Sequence, residues 1–195
     1  MTKRAEYNKP LLLLSGNKGL LFISIFKFLK MKKILLLSDT HSHIDDTILK
    51  YLKQADEVWH AGDIGSLHVT DSIKEIKPLR AVFGNIDDNK ARLEFPLNNR
   101  FFCEDVEVLI THIGGYPGKY NSAIREELYS NPPKLFICGH SHILKVQYDK
   151  KLNLLFMNPG AAGKHGFHQV RTMLRFEIDK DKVQNLEIIE IEKRV

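Results

Sequence analysis

Five short polar motifs carry residue types that can hold divalent metal ions, and each follows directly on an apolar run. Residues 34–37 run into Ser38-Asp39-Thr40-His41, and Val58-Trp59 into His60-Ala61-Gly62-Asp63. Residues 81–83 run into Gly84-Asn85-Ile86-Asp87, 108–110 into Thr111-His112, and 136–138 into Gly139-His140-Ser141-His142. Singly, each motif is weak. Asp-x-His arises by chance, Gly-Asp is usually a turn, and Gly-Asn is a turn dipeptide. Together, in this order, they form a metal-site pattern. Two divalent ions about 3.5–4 Å apart need a bridging carboxylate, further ligands on each ion, and open positions for water and phosphate. Carboxylate, imidazole and amide oxygen suit Mn²⁺, Fe²⁺ or Zn²⁺ better than Ca²⁺. A glycine before Asp63, Asn85 and His140 permits the sharp turn that aims the next side chain inward.

Such ligands need elements that bring them to one place. Residues 34–37 form a short continuous apolar run, the mark of a strand buried on both faces. Helical spacing follows over 45–54 (Ile48, Leu49, Leu52), a strand over 57–59, a helix over 67–76 ending before Pro78, and a strand over 80–83. This alternation argues for an α/β layered sheet. The second half reads differently. An antiparallel pair is expected at 100–103 and 106–110, a helix at 122–129, and a strand at 135–138. Hairpins are expected at 144–148 with 152–157 and at 171–178 with 183–191. The expected fold is α/β (α+β): a β-sandwich with helices on both outer faces, four layers in all. Its carboxyl strand ends, where layered sheets bind ligands, carry the five motifs.

The formal charge of +5 lies in the first thirty residues, which hold six Lys/Arg and one acid; the remainder has 23 basic and 23 acidic residues. A neutral body argues against a protein that grips long nucleic acid, which needs clustered Lys/Arg. Two cysteines without framework spacing point to free thiols in a reducing, cytoplasmic setting. Residues 1–30 contain apolar stretches at 11–14 and 20–29 split by a turn-like segment, each too short to cross a bilayer. They are read as an extension before a domain of residues 31–195. The alternatives for that extension are an over-extended start ahead of Met31, an accessory segment, and a signal or anchor.

The motif set Leu-Ser-Asp-Thr-His (37–41), His-Ala-Gly-Asp (60–63), Gly-Asn-x-Asp (84–87), Thr-His (111–112), Gly-His-Ser-His (139–142) and Asn-Pro-Gly (158–160) resembles the calcineurin-like metallophosphoesterase superfamily. Within it, the set is similar to the small YfcE-type phosphodiesterases. The resemblance runs from about Met31 to the C-terminus. It implies that Asp39, His41, Asp63 and His142 hold one ion. It implies that Asp63, Asn85, His112 and His140 hold the other, with Asp63 bridging. The ions would be Mn²⁺ foremost, with Fe²⁺, Zn²⁺ or Ni²⁺ as alternatives, and a bridging hydroxide would attack the phosphorus of a small phosphate ester. Phosphodiester hydrolysis is the expected reaction. The rival is a non-catalytic interaction scaffold of the same fold, and a homo-oligomer is compatible with either.

One residue departs from the broad superfamily. Many members have His after Gly-Asn, the usual donor of a proton to the leaving group, and this chain has Ile86. His43 is the expected substitute, so Asp63, Asn85 and His43 are the expected catalytic residues. A lost proton donor typically lowers rates by about 10²–10⁴-fold. Other residues have two readings each. His60 reads as a buried or supporting residue, His68 as exposed, and Trp59 as core. His165 and His168 either line the site's mouth or sit in a plain loop. Asp87 and Asp88 either orient ligand imidazoles or belong to a solvated turn. Arg171 either contacts phosphate or, as expected of a strand start, is solvated.

Overall fold

In the computed structural model, which describes residues 31–193, the apolar run after Met31 forms β1 (Lys32–Leu37) at the heart of a five-stranded sheet. The segment expected over 1–30 lies outside the described residues. β2 (Glu57–His60) and β3 (Leu79–Ala81) join β1 in parallel on one side. On the other side the hairpin of β11 (Val170–Asp179) and β12 (Lys182–Lys193) pairs antiparallel, with Lys32 opposite Ile178. The strand order is β12-β11-β1-β2-β3.

A second sheet is built from β4 (Asn98–Cys103), β5 (Val106–Thr111), β8 (Leu135–Ile137), β9 (Leu144–Asp149) and β10 (Leu154–Pro159). Its order is β4-β5-β8-β10-β9. The period-two alternation of the strands divides the apolar side chains into layers. Ile34 and Leu36 face inward with Val108, Ile110, Leu135 and Ile137 from the other sheet. Leu35 and Leu37 face outward against Ile48 and Leu52 of α1 (Asp46–Leu52) and Val69 and Ile73 of α2 (His68–Lys74). On the far side Leu109, Phe136 and Phe156 pack on Ile124 and Leu128 of α4 (Ser122–Ser130). The expected four-layer sandwich is the observed one. No helix among the described residues is long and apolar enough to cross a membrane.

Two features were not foreseen. α3 (Asn89–Glu94) has one buried residue, Ala91, so it shows no apolar periodicity. It starts because the Asp88 carboxylate accepts from Lys90 N and Ala91 N at 2.9 and 3.0 Å, which makes Asp88 a helix cap. β6 (Gly115–Tyr116) and β7 (Lys119–Tyr120) form a two-stranded ribbon too short for any alternation to register. The third strand also lies earlier than expected, at Leu79–Ala81, because residues 82–83 already turn toward the motif.

Trp59 is the largest side chain of the inter-sheet layer and is fully buried. Phe101 and Phe176 meet its ring edge-on at 5.2 and 5.6 Å, and its indole N–H donates to Glu57 at 2.9 Å. Arg80 and Lys32 neutralise that carboxylate. Trp59→Ala should therefore destabilise by about 3–5 kcal/mol, and Trp59→Phe by clearly less. Urea unfolding checks this, and equal midpoints for wild type and Trp59→Ala would contradict the packing described.

Candidate metal centre

All five motifs leave their strands at the same edge of the sandwich, and backbone hydrogen bonds hold their loops together. Asp39 N, His41 N and Ser42 N donate to Gly62 O, Asp63 O and Ile64 O at 2.8–3.0 Å, so the loops after β1 and β2 continue the pairing of their strands. Two of the contacts that cross between the sheets tie these loops. His140 N donates to Asp39 Oδ2 at 3.1 Å, and His112 Nδ1 meets Ala61 O at 2.7 Å.

The ligand candidates sit in backbone conformations that side chains other than Gly usually avoid. Asp39, His41, Asp63, His140 and His142 have φ of 53°, 46°, 54°, 69° and 56°. Left-handed backbone at an L-residue is disfavoured by roughly 1–2 kcal/mol, although Asp and His tolerate it better than bulky residues. Close approach explains two glycines. A Cβ on Gly62 would lie 2.6 Å from His112 Nδ1, and one on Gly84 would collide with the Asp63 carboxylate.

The candidate ligand atoms form two groups, Asp39 with His41 and His142, and Asp63 with His112 and His140. His142 Nε2 is 3.1 Å from Asp39 Oδ1 and 3.3 Å from His41 Nε2. His112 Nε2 is 3.1 Å from Asp63 Oδ1 and 3.9 Å from Asp39 Oδ1. Asp63 reaches both groups, with Oδ2 3.8 Å from His41 Nε2. Ala61 O can only accept, so His112 Nδ1 carries a proton and Nε2 is the atom turned toward the carboxylates. Asp39 Oδ1 and His112 Nε2 are buried without hydrogen-bond partners. Buried polar atoms are nearly always satisfied. A cation placed among these atoms would satisfy both.

Burial and neighbouring charge act differently on the histidines of the site. Burial pushes the pKa of His41 and of His140 down, which favours the neutral imidazole that ligates metal. His112 is raised, because Asp63 and Asp39 outweigh the burial that opposes its charge. Asp63 is lowered despite its burial, since His112 stands beside it. Asn85, the remaining expected ligand, lines the same cleft beside Asp63 and His140.

The residues with two readings now have positions. His165 and His168 line the cleft, and the His165 ring lies 4.9 Å from that of His41. His168 Nε2 is 2.9 Å from Gly163 O, and its Nδ1 is 3.3 Å from His142 Nδ1. Gly163 O only accepts, so His168 carries its proton on Nε2 and receives one from His142 Nδ1. That chain of tautomers leaves the His142 Nε2 lone pair pointing into the Asp39 group. The role of His168 had no signal in the sequence beyond its place after the Asn-Pro-Gly turn.

Asp87 orients no imidazole. Its carboxylate accepts from Ile64 N, Gly65 N and Gly84 N at 3.1, 2.7 and 2.7 Å, tying the loops that carry Asp63 and Asn85. His60 is buried; its Nδ1 accepts from Gly62 N, and its Nε2 lies 2.9 Å from Thr40 Oγ1. His68 is exposed, as expected.

One expectation needs correction. Arg171 is neither solvated nor at the cleft. It is 1% exposed, donates to Ala162 O, and pairs with Asp45 Oδ2 at 2.9 Å. His43 points to the same carboxylate, with Nε2 3.0 Å from Asp45 Oδ2. Asp45, which also caps α1 through Ile48 N, overcomes its partial burial through these bonds and is held down at about 2.

A family model for the calcineurin-like phosphoesterase superfamily domain matches residues 31–181. The chain belongs to this superfamily. A probable metallophosphoesterase of Methanothermobacter thermautotrophicus is 25% identical over 132 residues, which cover 65% of this chain and 74% of that one. Solved structures of the same fold include an archaeal phosphodiesterase, 22% identical with a TM-score of 0.66 over 82% of this chain and 99% of that one. Vps29 of Entamoeba histolytica is 16% identical with a TM-score of 0.65 over 82% and 99%. A predicted phosphoesterase of Streptococcus pneumoniae is 18% identical with a TM-score of 0.59 over 83% and 98%.

Two outcomes test this geometry. His168→Ala should weaken Mn²⁺ binding by about 10–100-fold with unchanged circular dichroism; unchanged affinity in calorimetric titration would remove His168 from the site. His60 is the second. Burial holds it at about 4, against 6.5 when unfolded. Its stabilising contribution is full above about pH 6.5 and falls away toward pH 4, a loss of about 3 kcal/mol. Denaturation of metal-free protein should show this slope, and His60→Gln should flatten it.

Proposed function

We propose that this chain is a dinuclear-metal phosphodiesterase. The observation that carries the reading is the convergence of two groups of ligand type on the buried atoms Asp39 Oδ1 and His112 Nε2, which lie 3.9 Å apart. Asp39, His41, Asp63 and His142 would hold one ion, and Asp63, Asn85, His112 and His140 the other, with Asp63 shared. When bound, the ions supply Lewis-acid charge for the phosphoryl oxygens and acidify a water to make the nucleophile.

The protein's own part is positioning. Ile86 N donates to Asp63 Oδ1 at 3.1 Å and steadies the shared carboxylate. His168 and Ala61 set which nitrogen of His142 and His112 faces inward. Ile86 itself lines the cleft as an apolar side chain. With His43 held by Asp45, the leaving oxygen takes its proton from water, so acidic leaving groups react best. The diester preference follows from the apolar residues around the cleft and from the likeness to the archaeal phosphodiesterase. Mn²⁺ is the favoured ion by ligand chemistry, and the cytoplasm the favoured compartment by the two free, buried cysteines. The scaffold alternative has the Vps29 likeness in its favour, but the full ligand set weighs against it.

Metal analysis after Mn²⁺ loading should find about two ions per chain. The loaded protein should hydrolyse bis(p-nitrophenyl) phosphate, and Asp63→Ala should abolish this. Rates should rise steeply with leaving-group acidity across a series of aryl diesters. An absence of bound metal, or equal rates in wild type and Asp63→Ala, would return the chain to the scaffold reading.

A further inference from the structure

Beside the metal cleft lies a second cavity of about 520 Å³, the size of a small-molecule site. The two share His140, Ser141 and Ile143 as walls. The β6–β7 ribbon and the start of α4 form the far side. Three large apolar side chains at this cavity remain in solvent: Ile113 is 38% exposed, Tyr116 46% and Ile143 66%. Ile86 and Phe167, on the cleft side, are exposed as well. Apolar side chains scattered singly need no explanation, but a cluster around one opening does.

The wall is built in advance of any ligand. Tyr120 is buried, and its hydroxyl donates to Asp149 Oδ2 at 2.6 Å. Asn121 N donates to Gly114 O at 3.0 Å and closes the base of the ribbon. At the mouth, the Lys145 ammonium stands 4.7 Å from the Tyr116 ring centre, which steadies the ring and sets a positive charge beside the opening. A preformed apolar recess with a cation at its rim, adjoining a site for phosphate, has the chemistry of a subsite for an ester substituent.

We propose that this cavity receives a ring-sized aromatic or apolar substituent of a phosphodiester whose phosphate lies at the metal centre. The proposal rests on the phosphodiesterase reading for the phosphate and adds the substrate class: diesters bearing an aryl group or a nucleobase, in preference to small dialkyl phosphates. An aromatic ring in the cavity covers Ile113, Tyr116 and Ile143, whereas a methyl group leaves them in water. The diester's negative charge suits Lys145 at the mouth, and Lys119 and Arg125 also line the cavity.

Calorimetric titration of the full chain with diphenyl phosphate and with dimethyl phosphate tests this, each with and without Mn²⁺. Diphenyl phosphate should bind at least about tenfold tighter. Tyr116→Ala and Ile143→Ala, both at exposed positions, should each reduce that ratio about threefold or more. Phe102→Ala, an exposed apolar residue of β4 outside this cavity, should leave the ratio as it is. Equal affinities for the two phosphates, or a ratio untouched by both cavity variants, overturn the proposal. Turnover is read separately. If the ratio behaves as stated but no aryl diester is hydrolysed, the phosphodiesterase reading falls and the cavity assignment stands.

Discussion

Two contacts that cross from one sheet to the other, His140 N to Asp39 and His112 Nδ1 to Ala61 O, hold the metal centre in place. Each fixes one ligand of one sheet against a ligand loop of the other. The inter-sheet layer of Ile34, Leu36, Trp59, Val108, Ile110 and Ile137 supplies the driving force that presses the sheets together. That force is non-directional and sets no register. The two polar contacts turn apolar adhesion into a defined separation between the Asp39 and Asp63 groups, and the loop pairing behind them spreads that definition over five strand ends.

Strained backbone and buried polar atoms are concentrated at the site. Five candidate ligands hold left-handed backbone, and Asp39 Oδ1 and His112 Nε2 are buried among them. Such features persist only where the surroundings over-determine them. Here the surroundings are the three hydrogen bonds from backbone N–H groups to Asp87, the Gly62 and Gly84 positions that admit no side chain, and the ion pair of buried Arg171 with Asp45. A cation would satisfy both buried atoms, so ion binding and folding are linked.

The candidate ligands were legible in the sequence because their order repeats one simple fact, a polar residue at the end of an apolar strand. Buried strands such as 34–37 read as unbroken apolar runs, and the layer order followed from them. The supporting residues were harder to see. An Arg at a strand start resembles any surface Arg, and nothing local to Arg171 announces Asp45, far back in the chain. The His168 contact with His142 likewise joins loops that only the fold brings together. The exception is His43, two residues from the Asp45 carboxylate that binds it, where the local pairing was open to view. The β6–β7 ribbon escaped because four residues cannot display a period.

The position of β1 has a consequence for how the chain is made. β1 lies between β2 and β11, and its pairing with β11 joins Lys32 to Ile178. During synthesis, the strand that carries Asp39 at its end has one open edge until the final hairpin leaves the ribosome. That edge is apolar on both faces, the kind of surface that templates pairing between chains. The metal-binding loop after β1 is therefore completed from behind, when Ala162 N and Gly163 N close onto Ser38 O and Asp39 O. An incomplete copy of this protein would lack the last wall of its own site, and its most vulnerable surface would face the cell.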